Sequence, residues 1–172
     1  MPITTEKIDT ILKNKGLSRY KASKLINYPE NNFNQIMRNE RSFPDQVIEK
    51  LLPILEISKE EFESWIITDK YPKEILERAI QIKKDFPYKR KSILTVNIDK
   101  IIEEKEMSRT DLAKLIKYNQ SSLNQIITGK RTMSKSVLEK LSQAFEISQN
   151  EILSWIVADN YSLDVLERAL SV

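Results

Sequence analysis

Residues 5–82 align with residues 95–172 without a gap, at a constant spacing of ninety. Ile8 is matched by Ile98, Ser18-Arg19 by Ser108-Arg109, and Lys24-Leu25-Ile26 by Lys114-Leu115-Ile116. Farther on, Asn34-Gln35-Ile36 is matched by Asn124-Gln125-Ile126, Ser64-Trp65-Ile66 by Ser154-Trp155-Ile156, and Leu76-Glu77-Arg78-Ala79 by Leu166-Glu167-Arg168-Ala169. A period this long exceeds the roughly 20–50 residues of a solenoid repeat. It indicates two copies of one small domain, at 1–82 and 95–172, joined by a linker at 83–94.

Each copy reads as six helices. Two glycines in 172 residues, with abundant lysine, glutamate, leucine and isoleucine, place the chain in the all-α class. Helical spacing of apolar residues puts the helices of the first copy near 5–15, 18–26, 30–38, 45–56, 59–69 and 72–85. Those of the second lie near 95–105, 108–117, 120–128, 135–146, 149–159 and 162–171. Ser58 with Glu61, and Ser148 with Glu151, have the spacing of a capping box. Pro53, where the second copy has Gln143, is expected to kink or shorten the fourth helix.

Residues 108–131 form the stretch that points to chemistry. Leu112, Ala113, Leu115 and Ile116 give one short helix an apolar face, and Leu123, Ile126 and Ile127 do so for the next. Ser108 with Asp111 can cap the first, and Gly129 suits the left-handed residue that ends the second. Between the apolar positions of the second helix lie Gln120, Ser121, Asn124, Gln125 and Thr128, side chains suited to hydrogen-bonding base edges. Arg109, Lys114, Lys117, Lys130 and Arg131 surround them, against the single acid Asp111. The pattern is that of a helix-turn-helix that reads DNA.

The stretch resembles the phage-repressor (Xre, or lambda-repressor-like) helix-turn-helix family. Met107-Ser108-Arg109, Leu112-Ala113, Asn119-Gln120-Ser121-Ser122-Leu123 and Gly129-Lys130-Arg131 fall in register with its motif. Lys117 stands where the family usually has a turn glycine. A positive φ is costly for lysine, so a differently drawn turn is expected there. The first copy, SRYKASKLINYPENNFNQIMRNER, is similar but departs more. Ala22-Ser23 replaces Leu-Ala, and Asn27 and Asn39 take the two turn positions. Pro29, Glu30 and Glu40 replace Asn119, Gln120 and Lys130.

The resemblance implies two tandem lambda-repressor-like domains. Each would lay its third helix in the major groove of double-stranded DNA. By position, Gln120, Ser121 and Asn124 would read bases, with Gln125 and Thr128 nearby. Glu30, Asn31, Asn34, Gln35 and Arg38 hold the matching places in the first copy. Asparagine or glutamine can bind adenine bidentately through N6 and N7. Arg109, Lys130 and Arg131, with Arg19 and Arg41 in the first copy, would hold phosphates. The second copy is the better-matched reader.

Charge completes the picture. The copies carry 13 bases against 13 acids and 10 against 11, so the net +3 of the chain resides in the linker. There Lys83, Lys84, Lys89, Arg90 and Lys91 face only Asp85. A basic connector can lie along phosphates, and Lys89, Arg90 and Lys91 are its candidates for that role. It can equally be a solvated tether. Trp65, Tyr71, Trp155 and Tyr161 are expected in the cores, with an interface as the other reading.

The function expected is a sequence-specific transcription regulator, a repressor, that reads two half-sites. The alternative is a protein-binding module of the antitoxin or inhibitor type on the same scaffold. The C-terminal helices would serve a homodimer or a protein partner. An enzyme is not expected, since the chain lacks histidine and cysteine and shows no phosphate loop or nucleophile elbow. No cofactor, no metal and no membrane span are expected, and the location expected is cytoplasmic.

Overall fold

The computed structural model describes residues 1–86 and 91–172. Among the described residues there are twelve α-helices and no strand, as the all-α reading requires. They are α1 (Ile3–Asn14), α2 (Arg19–Leu25), α3 (Glu30–Met37), α4 (Asp45–Leu55), α5 (Lys59–Lys70), α6 (Lys73–Asp85), α7 (Ile93–Glu104), α8 (Arg109–Leu115), α9 (Gln120–Ile127), α10 (Lys135–Phe145), α11 (Gln149–Asn160) and α12 (Leu163–Leu170). The bounds of α1–α5 recur ninety residues later in α7–α11. So do the left-handed residues between helices. Gly16 pairs in this sense with Glu106, Asn27 with Lys117, Asn39 with Gly129 and Glu56 with Glu146.

The chain forms two compact units. Unit 1 holds Met1–Pro72 with Glu167–Val172, and unit 2 holds Lys73–Leu166. This division differs from the repeat boundaries. The sixth helix of the first copy, α6, packs along α11 in unit 2 instead of closing unit 1. It buries Ile75, Leu76, Ala79 and Ile80 there. In unit 1, Phe33, Phe62, Trp65 and Leu51 centre the core, and the Phe43 and Phe62 rings meet in a T-shaped contact with centroids 5.3 Å apart. In unit 2, Leu112, Leu123, Leu141, Ile152 and Trp155 are buried. Both tryptophans therefore lie in cores.

Both α1 and α7 start two residues before the expected bound, and the reason is tertiary. Asp69, at the end of α5, accepts from the Ile3 and Thr4 N–H groups at 2.6 and 2.9 Å. Asp159 does the same for Ile93 and Leu94 at 2.8 and 2.9 Å. A carboxylate there satisfies open N–H groups and meets the positive end of the helix dipole.

Pro53 does not shorten its helix, since α4 has the same 11 residues as α10. The missing N–H falls in the last turn, and buried Leu51 and Leu55 hold that turn to the core. The box at Ser108 and Asp111 is complete, and the Ser108 hydroxyl holds the Asp111 carboxyl below its usual range. At Ser58 and Ser148 the serine half forms. The Glu151 carboxylate turns instead to Arg78, 2.9 Å away.

Candidate nucleic-acid interface

The helix-turn-helix of unit 2 is built by hydrogen bonds at both of its ends. After α8, the Lys117 N–H donates to the Lys114 carbonyl at 3.1 Å and the Tyr118 N–H to that of Ala113 at 2.9 Å. This closure requires Lys117 to be left-handed, and it is, with φ +50°. The turn is thus drawn as a glycine would draw it, contrary to the sequence expectation, because capping outweighs the cost in lysine. Lys117→Gly should consequently stabilise unit 2. Relief of roughly 1–2 kcal/mol of strain less about 0.4–1 kcal/mol of added unfolded-state entropy leaves a gain near 1 kcal/mol. A lower urea midpoint for the variant would contradict this.

After α9, the Gly129 N–H donates to Ile126 at 3.0 Å, and the Lys130 and Arg131 N–H groups both reach the Gln125 carbonyl, at 2.8 and 3.1 Å. Gly129 has φ +73°. The closure brings the Lys130-Arg131 pair to the end of α9. On its inner side, α9 buries Leu123, Ile126 and Ile127. Such burial is worth up to about 1.5–3 kcal/mol for each side chain. From α7, the buried Thr95 hydroxyl donates to the Ile127 carbonyl at 2.8 Å, and Thr5 does the same for Met37 in unit 1 at 3.0 Å. The orientation of α9 is therefore set by the core.

What remains outside is a shallow open groove lined by Gln120, Ser121, Asn124, Gln125, Thr128 and Lys130. All five base-reading candidates of the second copy are thus brought together with one phosphate candidate. In unit 1 the matching depression is lined by Arg19, Asn31, Asn34, Gln35 and Arg38. Ser23, at the place of Ala113, is tolerated because its buried hydroxyl donates to the Tyr20 carbonyl at 2.8 Å.

The amides are already partly engaged. Gln120 Nε2 lies 2.7 Å from Thr110 Oγ1, a bridge from α9 to α8, so its adenine fork is half occupied in the unbound chain. Asn124 Oδ1 is buried without a partner among the described residues, so that end of its amide faces inward. The Thr128 hydroxyl donates to the Asn124 carbonyl at 2.8 Å.

The arginines at the start of the second helices are also engaged. Arg109 reaches both carboxylate oxygens of Asp99, at 2.6–2.9 Å. Arg19 forms the same fork on Asp9, and that hydrogen-bonded carboxylate raises the guanidinium pKa further. Each arginine ties the first helix to the second. In the unbound chain these two phosphate candidates are braced within their own units, half-exposed. Arg131 Nη1 lies 3.2 Å from Ser122 Oγ, and Arg41 is exposed. Arg38 pairs with Glu40 at 3.1 Å, which lowers the positive character of the unit 1 face.

The basic linker is shorter than the sequence suggests. Lys83 and Lys84 belong to α6, and Lys83 Nζ donates to the Ala158 carbonyl at 2.7 Å. Lys91 is exposed just before the start of α7. Lys89 and Arg90 lie outside the described residues. Sequence reasoning missed Asp9/Asp99, Asp69/Asp159 and Thr5/Thr95 as bracing groups. Their identity across the ninety-residue spacing was the available signal.

Among the described residues, no helix is long and apolar enough to cross a membrane. No curated protein and no solved structure matches the chain. Residues 97–158 match the family model of the Cro/C1-type HTH DNA-binding domain, a span that runs from α7 to α11 and contains α8, α9 and their turn. Unit 2 thus carries a Cro/C1-type helix-turn-helix DNA-binding domain, which supports a DNA-binding transcription regulator in general.

Proposed function

We propose that the chain is a sequence-specific repressor that reads two major-groove half-sites, one with α9 and one with α3. The observation that carries this reading is the single open face of α9, where Gln120, Ser121, Asn124, Gln125, Thr128 and Lys130 stand together opposite the buried Leu123, Ile126 and Ile127. A face of that kind offers base-edge contacts at its centre and phosphate contacts at its end. Unit 1 supports a second, weaker head through Asn31, Asn34 and Gln35. Linkage in one chain makes its binding intramolecular and raises its effective concentration. The repressor role follows the resemblance to phage repressors, in which occupancy of the site blocks access to it.

Selection of bound sites from random DNA with the full chain tests the proposal. One enriched sequence with a strong and a weak half is expected. Asn124→Ala should cost about 1–3 kcal/mol and relax preference at one base position, with a smaller loss from Asn34→Ala. The reverse ranking would make unit 1 the principal reader. Absence of any enriched site would favour the protein-binding reading instead. The Arg38–Glu40 pair and Glu30 on the unit 1 face are the observations that favour that reading for unit 1.

A further inference from the structure

The open face of α9 begins with a side chain that is not free to turn. Gln120, the first residue of α9, is exposed on the groove, and its Nε2 donates to Thr110 Oγ1 at 2.7 Å. Thr110 is held in its turn. It is the second residue of α8, half-buried, inside the Ser108–Asp111 box and next but one to the buried Leu112. Its neighbour Arg109 is forked on Asp99. The hydroxyl that meets Gln120 therefore sits on a turn of helix fixed by both the cap and the core.

The bond decides which half of the amide stays available. One N–H of Nε2 is used on Thr110, and Oε1 has no partner among the described residues. Gln120 thus offers an acceptor. In the major groove adenine N6 and cytosine N4 are donors, whereas guanine shows only the acceptors O6 and N7. An amide held this way meets guanine acceptor against acceptor. Unit 1 has the same polarity by other means. Glu30 holds the place of Gln120 and carries acceptors only. Tyr20 holds the place of Thr110, with Lys24 Nζ 5.3 Å from its ring centroid.

We propose that Thr110 is a positioning residue for base recognition. It holds Gln120 with Oε1 toward the base, so that α9 selects an exocyclic amino group there, on adenine or cytosine, and rejects guanine. The proposal rests on the DNA-binding reading above; the tie between Thr110 and Gln120 does not. A glutamine ordered in the unbound chain also has less rotamer freedom to lose on binding.

Relaxation of the side-chain amides of the full-length protein, measured by nuclear magnetic resonance without DNA, tests the tie. The Gln120 amide should be more ordered than that of the exposed Gln125 in the wild type, and as mobile as it in Thr110→Val. Equal mobility in the wild type would overturn the proposal. Sites selected from random DNA by the full chain test the base choice. Gln120→Ala marks the position concerned by its loss of preference there, and adenine or cytosine should dominate at that position in the wild type. Thr110→Val keeps the side-chain shape. It should weaken binding to the preferred site by about three- to tenfold, the scale of one hydrogen bond, and admit guanine at that position. Thr110→Ser should restore both affinity and preference, and Thr110→Val should add nothing once Gln120 is alanine. Melting temperature and the slope of log affinity against log salt should stay unchanged. A slope flatter by roughly 0.9 would make Thr110 a phosphate contact instead. Guanine in the wild-type site, unaltered preference in Gln120→Ala, or wild-type preference in Thr110→Val would each overturn the proposal. A chain that selects no DNA defeats the DNA-binding reading and the base assignment with it, whereas the order of the Gln120 amide is decided by the relaxation measurement alone.

Discussion

Residues 92–172 expressed alone should be helical by circular dichroism yet lack a cooperative melt, whereas residues 73–172 should melt as one unit. The ninety-residue repeat points the other way, to a second copy complete from its own six helices. The difference is α6. It belongs to unit 2, packs along α11, and buries Ile75, Leu76, Ala79 and Ile80. Burial of its three large side chains is worth up to about 1.5–3 kcal/mol each. A small domain has only about 5–15 kcal/mol in total. The shorter fragment would also lack the Arg78 pair with Glu151 at 2.9 Å and the Lys83 hydrogen bond to the Ala158 carbonyl at 2.7 Å. Thermal and urea unfolding of the two fragments decides it. A sharp, protein-like transition from 92–172 would mean that α6 is dispensable to that core.

Replacement of Lys130 and Arg131 by glutamine should reduce DNA affinity at least tenfold at moderate salt and leave base preference intact. Both residues follow Gly129, and their N–H groups are tied to the Gln125 carbonyl, so their position relative to α9 is set by backbone closure. Removal of one phosphate-binding charge should flatten the slope of log affinity against log salt by roughly 0.9, and removal of the pair by about 1.8. In unit 1, Glu40 occupies the place of Lys130 and pairs with Arg38, so Arg41→Gln should change the slope less. Titrations over a range of salt on a selected and a scrambled site make the measurement. A reduction confined to the selected site would show that the pair reads bases rather than phosphates, and an unchanged slope would remove it from the interface.

The sequence by itself determined the helices, their serine caps and the content of the open face of α9. These depend on neighbours three or four residues away. Apolar spacing marked Leu123, Ile126 and Ile127 as inward, and the same period left Gln120, Ser121, Asn124, Gln125 and Thr128 together on the other side. Serine caps at Ser108, Ser58 and Ser148 were legible for the same reason. The bounds of α1–α5 recur in α7–α11 at the ninety-residue spacing seen in the sequence.

Only the tertiary structure decided what long-range partners settle. Asp69 and Asp159 cap helices about sixty-five residues away, and no local pattern distinguishes them from surface acids. Asp9 and Asp99 engage the arginines to which the family resemblance had given a phosphate role, because a carboxylate at hydrogen-bond distance outcompetes a solvent-exposed role in the unbound chain. Lys117 goes left-handed because two hydrogen bonds close the turn only in that conformation. Above all, α6 packs in unit 2 rather than with the copy that encodes it. An amphipathic helix states in its sequence that one face must be covered. Which core covers it is settled by the geometry of the connections and the shape of the partner surface.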